Sequence, residues 1–187
     1  VLLISCGDSY AALASRFKDE FPSNVEAPYI DFELMKALTN KEKFYQLCGQ
    51  RGIDYPRTFV YRPEAGDDFG LPFEAPYIIK PADSVEYWRH PFAAQKKVFK
   101  AEDEAELRSI LAQIRESGYR EAVVIQEFIP GDDSFMRVLS CYSDRSGRVV
   151  LMCLGHVLLE EHTPHGIGNH AVIITRSDKV LMQRFRT

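Results

Sequence analysis

Val123-Val124-Ile125-Gln126-Glu127-Phe128-Ile129-Pro130-Gly131-Asp132-Asp133 organises the reading of the whole chain. A short apolar run, Ala122 to Gln126, is the pattern of a strand buried within a layer. Pro130-Gly131 halts it and two carboxylates follow. Upstream, Glu102 to Ser117 repeats Leu107, Ile110, Leu111 and Ile114 at helical spacing, with Gly118 as its stop signal. Val98 to Lys100 reads as a strand, as does Tyr77-Ile78-Ile79-Lys80, which Pro81 ends. Thr58 to Tyr61 is another, separated from it by a turn-rich stretch from Pro63 to Pro72.

Nearer the N-terminus, Val1 to Cys6 is an apolar run expected to form a strand. Gly7-Asp8-Ser9 turns it into a helix carrying Tyr10, Leu13, Ala14 and Phe17. An extended piece at Tyr29-Ile30 leads to a small helix from Asp31. Thr39 with Glu42 spells a capping box for the next helix, whose apolar face is Phe44, Leu47 and Cys48 and whose stop is Gly52. Beyond Gly131 the pattern changes. Phe135 to Tyr142 and Arg148 to Val157 flank Asp144-Arg145-Ser146-Gly147, a hairpin with turn chemistry. A His- and Gly-rich loop, residues 161–170, leads to a strand at Ala171 to Thr175 and a final helix from Asp178. The class is mixed α/β (α+β), with antiparallel pairing in the second part.

The 187 residues, 45% hydrophobic, suffice for one ordinary domain or two small halves with a real core. A net charge of -4 and a pI of about 5.8 offer no electrostatic reason to bind nucleic acid. No apolar run reaches the roughly 18 residues of a membrane span, and no secretory signal pattern is present, so a cytoplasmic protein is expected. Cys6, Cys48, Cys141 and Cys153 lie in apolar stretches without a C-x-x-C pair, and are expected to be buried free thiols.

Two features carry chemistry. Lys80 closes a strand immediately before Pro81, where its ammonium is either an anion clamp or a snorkelling strand-end lysine. Lys41, in the first turn of its helix, reads by itself as a solvated lysine. The halted strand at Gln126 to Pro130 is expected to leave main-chain N-H and C=O groups unpaired at an edge. Such groups hydrogen-bond a flat heterocycle such as adenine, and Asp133 is near enough in sequence to accept from ribose hydroxyls. An ordinary strand that ends in a turn is the competing reading.

The succession of Lys41, Ile79-Lys80-Pro81 and Gln126-Glu127-Phe128-Ile129-Pro130-Gly131-Asp132-Asp133 resembles the ATP-grasp superfamily. Tyr29-Ile30-Asp31-Phe32-Glu33-Leu34, Thr39-Asn40-Lys41-Glu42-Lys43-Phe44 and Lys80-Pro81-Ala82-Asp83-Ser84-Val85-Glu86-Tyr87-Trp88 resemble its carboxylate-amine ligases of the D-aspartate ligase type. The resemblance implies an incomplete ATP-grasp fold: residues 1–30 as the tail of an N-terminal α/β domain, 31–130 as a first subdomain and 131–187 as part of a second. It implies that Lys41 and Lys80 hold phosphates, that Gln126 and the main chain of Glu127 and Ile129 read adenine, that Phe128 lines the slot and that Asp133 meets the ribose. The loop after Lys80 departs from the family in having no glycine between Ala82 and Ala94. Ser84 remains a phosphate donor there, and Trp88, Arg89 and His90 make the loop bulky.

In the second part, His162, Thr163, Asn169 and Arg176 are candidate substrate contacts, with surface histidines the equal reading. His162, His165 and His170 lack a zinc pattern, and no metal is assigned. The resemblance implies Mg2+ with ATP, yet its Glu-x-Asn ligand pair does not occur after Gly131, so those strands are expected beyond Thr187. A chain opening in mid-strand without Met is likewise expected to be part of something longer, to bind nucleotide weakly and to turn nothing over alone. The activity implied is amide formation through an acyl phosphate. The partners implied are an amino acid, D-aspartate in the D-aspartate ligase case, and an amine acceptor such as a peptidoglycan precursor. Other ATP-grasp activities of the carbamoyl phosphate synthase or carboxylase kind, or a non-catalytic nucleotide-binding module, are the alternatives.

Overall fold

The computed structural model describes residues 1–66 and 68–185. Among them the chain forms two compact units, Val1–Phe128 and Ile129–Thr187. In the first, helices α1 (Asp8–Arg16), α2 (Phe32–Thr39) and α3 (Lys41–Arg51) precede strand β1 (Thr58–Tyr61). Strand β2 (Tyr77–Pro81), the single turn α4 (Ser84–Tyr87), strand β3 (Phe99–Ala101), helix α5 (Glu104–Glu116) and strand β4 (Val123–Glu127) follow. The four strands make one antiparallel sheet in the order β1-β4-β2-β3.

Pairing register sorts the side chains onto two faces, because directly opposed residues in a sheet point the same way. Phe59, Ile125, Ile79 and Phe99 form one row, and beside them lie Tyr61, Val123, Tyr77 and Ala101. Helix α5 covers this face with Leu107, Ile110, Leu111 and Ile114, the four positions its periodicity picks out. Each such side chain taken from water contributes about 1.5 to 3 kcal/mol. Asp103 caps the helix by accepting from Glu106 N-H at 2.8 Å, and Gly118 ends it at φ 95°. The opposite face carries Thr58, Gln126, Ile78 and Lys100 in one row and Val60, Val124 and Lys80 in the next. Tyr45 of α3 packs over Val60, Val124, Ala82 and Ala122 there.

Several expectations change. Val1 to Cys6 does not become a strand: it makes one isolated parallel bridge, Leu2 to Glu26, because no ladder continues on either side. The cap of α3 is Asn40, whose side chain accepts from Lys43 N-H at 3.1 Å. Thr39 instead bonds back to the Met35 carbonyl at 2.9 Å and so finishes α2, while Glu42 turns to Arg62 at 2.6 Å. Phe44 is exposed, and Cys48 alone of the α3 residues is buried. Strand β4 is not an edge but lies between β1 and β2. Of the four free thiols only Cys48 is buried: Cys6 lies outside any strand, and Cys141 and Cys153 lie on open parts of their strands.

The second unit is a three-stranded antiparallel sheet, β5 (Arg137–Ser143), β6 (Val149–Glu160) and β7 (His170–Thr175), with α6 (Lys179–Arg184) after it. The β5-β6 turn works as its sequence suggests. Asp144 accepts from Ser146 and Arg148 main-chain N-H at 3.0 and 3.1 Å, and Gly147 supplies φ 82°. Asp178 caps α6 through Leu181 N-H at 2.9 Å. No described helix is long and apolar enough to cross a membrane.

Candidate functional site

The polar face of the first sheet gathers residues that are far apart in sequence. Lys80 reaches along β2 so that its Nζ donates to Gln126 Oε1 at 3.1 Å. Gln126 is buried, and its amide is engaged at both ends. Tyr45 OH also donates to Oε1, at 3.3 Å, and Nε2 donates to Thr58 Oγ1 at 2.9 Å. A side chain locked this way is a rigid acceptor for the lysine. Burial lowers the pKa of Lys80, and the positive charge of Lys41 lowers it further.

Lys41 is not the solvated lysine its helix position suggests. Placed at the start of α3 by the Asn40 cap, it donates from Nζ to Ser84 Oγ at 2.9 Å, and its own N-H donates to the Ala82 carbonyl at 3.1 Å. Its pKa is lowered by burial first and then by Lys97, against smaller opposing effects of Asp83 and Asp8. The two ammonium groups thus sit on neutral oxygens. Burying like charges in this way is unfavourable unless an anion joins them. The arrangement is a cation pocket suited to a polyanion such as a phosphate chain.

The glycine-free loop after β2 is built on side chains instead. Asp83 caps α4 by accepting from Glu86 N-H at 2.9 Å. Fully buried Tyr87 donates its hydroxyl to the Lys96 carbonyl at 2.9 Å, and Gln95 Nε2 donates to the Tyr87 carbonyl at 3.0 Å. Glu86 holds both Arg89 and His90, at 2.8 and 3.1 Å, and these contacts, His90 first, lower its pKa. Backbone freedom is therefore replaced by a cross-braced loop that presents Ser84 to Lys41.

At the end of β4, Glu127 N-H donates to the Arg57 carbonyl at 3.1 Å and Phe128 N-H to the Pro76 carbonyl at 3.2 Å. These two donors are used inside the sheet, contrary to the open edge expected from Pro130-Gly131. The Glu127 carboxylate accepts from Arg57 N-H at 2.8 Å and from Arg57 Nε at 2.6 Å, and both bonds depress its pKa. The Phe128 ring lies 4.6 Å beneath the Lys100 ammonium. A cavity of about 650 Å³ lies alongside, lined by Arg57, Pro72, Phe73, Glu127 and Phe128 among others.

The second unit holds the other predicted residues. Ile129 is exposed. Asp133 Oδ2 accepts from Glu160 N-H at 2.9 Å and lies 3.0 Å from His162 Nε2, and these bonds, the Glu160 one first, lower its pKa. His170 pairs with Glu160. Thr163 accepts from Gly166 N-H at 3.2 Å within the loop, and the Asn169 carbonyl accepts from Glu161 N-H at 2.8 Å. Arg176 Nε reaches His156 Nδ1 at 3.5 Å. These contacts make 161–170 a self-braced loop. Among the described residues no group of three His, Cys, Asp or Glu side chains converges to hold a metal.

No family model matches the chain. Over 189 aligned residues it is 44% identical to the D-aspartate ligase of Enterococcus faecium (strain Aus0004), covering 99% of this chain and 45% of that protein. The D-alanine-D-alanine ligase of Bacillus anthracis, solved with ATP, superposes with a TM-score of 0.58 at 16% identity, over 94% of this chain and 50% of that one. A RimK domain ATP-grasp protein from Sphaerobacter thermophilus superposes with a TM-score of 0.50 at 16% identity, over 86% of this chain and 54% of that one. The chain has the ATP-grasp fold.

Its sequence resembles D-aspartate ligase over nearly every residue, although it spans less than half of that relative's length. Sequence reasoning selected Lys41, Lys80, Ser84 and Gln126, and the fold brings those four together. It missed Tyr45 and Thr58, which orient Gln126, and Arg57, which engages Glu127. Cross-strand pairing links Thr58 to Gln126, so an assignment of strand order would have pointed to them.

Proposed function

We propose that the chain supplies the ATP-holding part of an ATP-dependent carboxylate-amine ligase. The observation that carries this is the pair of half-buried ammonium groups, Lys41 on Ser84 and Lys80 on Gln126, at one end of the sheet face that β4 crosses. Lys41 and Lys80 bind the phosphate chain, Ser84 donates a further hydrogen bond, and the main chain of Glu127 meets adenine. Phe128 closes the slot. Resemblance to D-aspartate ligase supports D-aspartate as the carboxylate and a lysine-type side-chain amine of a peptidoglycan precursor as the acceptor.

The chemistry proceeds in two steps. A carboxylate oxygen attacks the γ-phosphorus and ADP leaves, giving an acyl phosphate. The amine then attacks the acyl carbon, losing a proton, and inorganic phosphate leaves with the carbon-oxygen bonding pair. Neither step needs a covalent enzyme intermediate, so positioning and charge neutralisation carry the acceleration. The lysines would offset charge on the bridging and terminal phosphate oxygens. Mg2+ supplies further neutralisation in phosphoryl transfer generally, but the described residues do not form a site that fits it.

Calorimetric titration with ATP tests the reading. Binding that disappears in Lys80→Ala, by on the order of 1.5 to 3 kcal/mol for a charge-assisted bond, is the expected result. Equal affinity in both proteins would return Lys80 to a strand-end lysine with no ligand.

A further inference from the structure

We infer that the carboxylate of Glu127, by capturing Arg57, holds the Glu127 main-chain carbonyl open as the acceptor for the exocyclic amine of adenine. This inference rests on the nucleotide reading above.

The register of the β1-β4 pair opposes Thr58 to Gln126, so the next pair outward is Arg57 with Glu127. An antiparallel pair at this position exchanges two main-chain bonds, N-H to C=O in both directions. One is made, from Glu127 N-H to the Arg57 carbonyl at 3.1 Å. The return bond is intercepted: Arg57 N-H donates instead to the Glu127 side chain at Oε1, 2.8 Å away. The guanidinium is tied to the same carboxylate through Nε, 2.6 Å from Oε2, and to the Pro72 carbonyl through Nη1 at 3.2 Å. On the other side of β4, the bond from Phe128 N-H to the Pro76 carbonyl makes Tyr77 and Glu127 a pair that exchanges no main-chain bonds. Among the described residues, then, no main-chain donor reaches the Glu127 carbonyl.

The side-chain amide next to it does not compete for the base. Gln126 Oε1 receives Lys80 and Tyr45, and Nε2 serves Thr58. The acceptor offered at this end of β4 is the main-chain carbonyl of Glu127. A free carbonyl selects a heterocycle bearing an amino group and rejects one without it. Glu127 therefore acts as a positioning residue: its side chain need not touch the ligand, but it decides whether the carbonyl is available.

The test compares ATP with purine riboside triphosphate, which lacks only the 6-amino group, in calorimetric titrations of the 187-residue chain. The unaltered chain should prefer ATP about tenfold, the worth of one such hydrogen bond. In Glu127→Ala the Arg57 N-H falls back onto the Glu127 carbonyl and the preference should shrink towards one. Glu127→Gln still offers an oxygen to Arg57 N-H and should keep it. Glu127→Met fills the same space without an acceptor and should behave as Glu127→Ala, serving in its place if that variant does not fold. An undiminished preference in the Ala or Met variant overturns the inference, even where both affinities fall together, and so does an unaltered chain that binds the two nucleotides equally. A chain that binds neither removes the nucleotide reading itself, and the inference with it.

Discussion

Lys80 and Gln126 meet at 3.1 Å from neighbouring strands of one sheet, the lysine on β2 and the amide on β4. The bond turns a strand-end cation into a fixed one, since Gln126 is itself held by Tyr45 and Thr58. Lys80 is also held against its own preference, because burial and Lys41 both disfavour its charged form.

Replacing that charge should separate stability from binding. Lys80→Met keeps the apolar stem and removes the ammonium. The nucleotide-free protein is expected to gain stability on the order of 1 kcal/mol while losing ATP affinity, the usual opposition at a binding site. Chemical denaturation and calorimetry on the same preparation check the pair of outcomes. A destabilised, ATP-binding variant would contradict both.

Binding should also depend on pH in a defined direction. Phosphate binds the protonated lysines, whose pKa values lie below the ordinary 10.5. Affinity for ATP should therefore be greatest below those lowered values and weaken as pH rises through them, before free lysine titrates. Stability of the nucleotide-free chain runs the other way. Between the lowered pKa and 10.5 the unfolded state binds more protons, so the lysine contribution to stability grows with rising pH. Titrations across alkaline pH, compared with Lys80→Met, isolate the effect.

The cap of α3 gives a test that distinguishes neighbouring residues. Asn40→Ala should cost about 1 kcal/mol, the usual worth of an N-cap, and should loosen Lys41, the residue that follows. Thr39→Ala should cost less, since its hydroxyl only bonds back within α2. Thermal melts of the two variants check the ranking, and a reversed order would restore the capping box.

Leu111→Ala removes a fully buried side chain from the α5 face of the sheet and should cost about 2 to 5 kcal/mol. Because α5 lies on the face opposite Lys80 and Gln126, ATP affinity measured below the lowered melting temperature should change little.

Local periodicity made most elements readable. Leu107, Ile110, Leu111 and Ile114 announce α5, and Thr58 to Tyr61 and Tyr77 to Lys80 announce two strands to within a residue. What periodicity does not encode is which strand lies beside which. Pro130-Gly131 shows where β4 stops but not that β1 and β2 flank it, so the expected open edge is a central strand with its donors used. The same blindness hid the burial of Lys41, which depends on a serine 43 positions away, and the hold of Arg57 on Glu127 across 70 positions. Cysteines in apolar stretches look buried by composition, yet Cys141 and Cys153 alternate onto open parts of their sheet.

The unmatched ammonium pair at Lys41 and Lys80 has a practical side. A protein with such a hollow is a sensor of its own buffer: sulfate or inorganic phosphate should raise its melting temperature and blunt its response to nucleotide, whereas a chloride solution of equal ionic strength should not. Purification salt alone can therefore decide whether the chain looks stable or fragile.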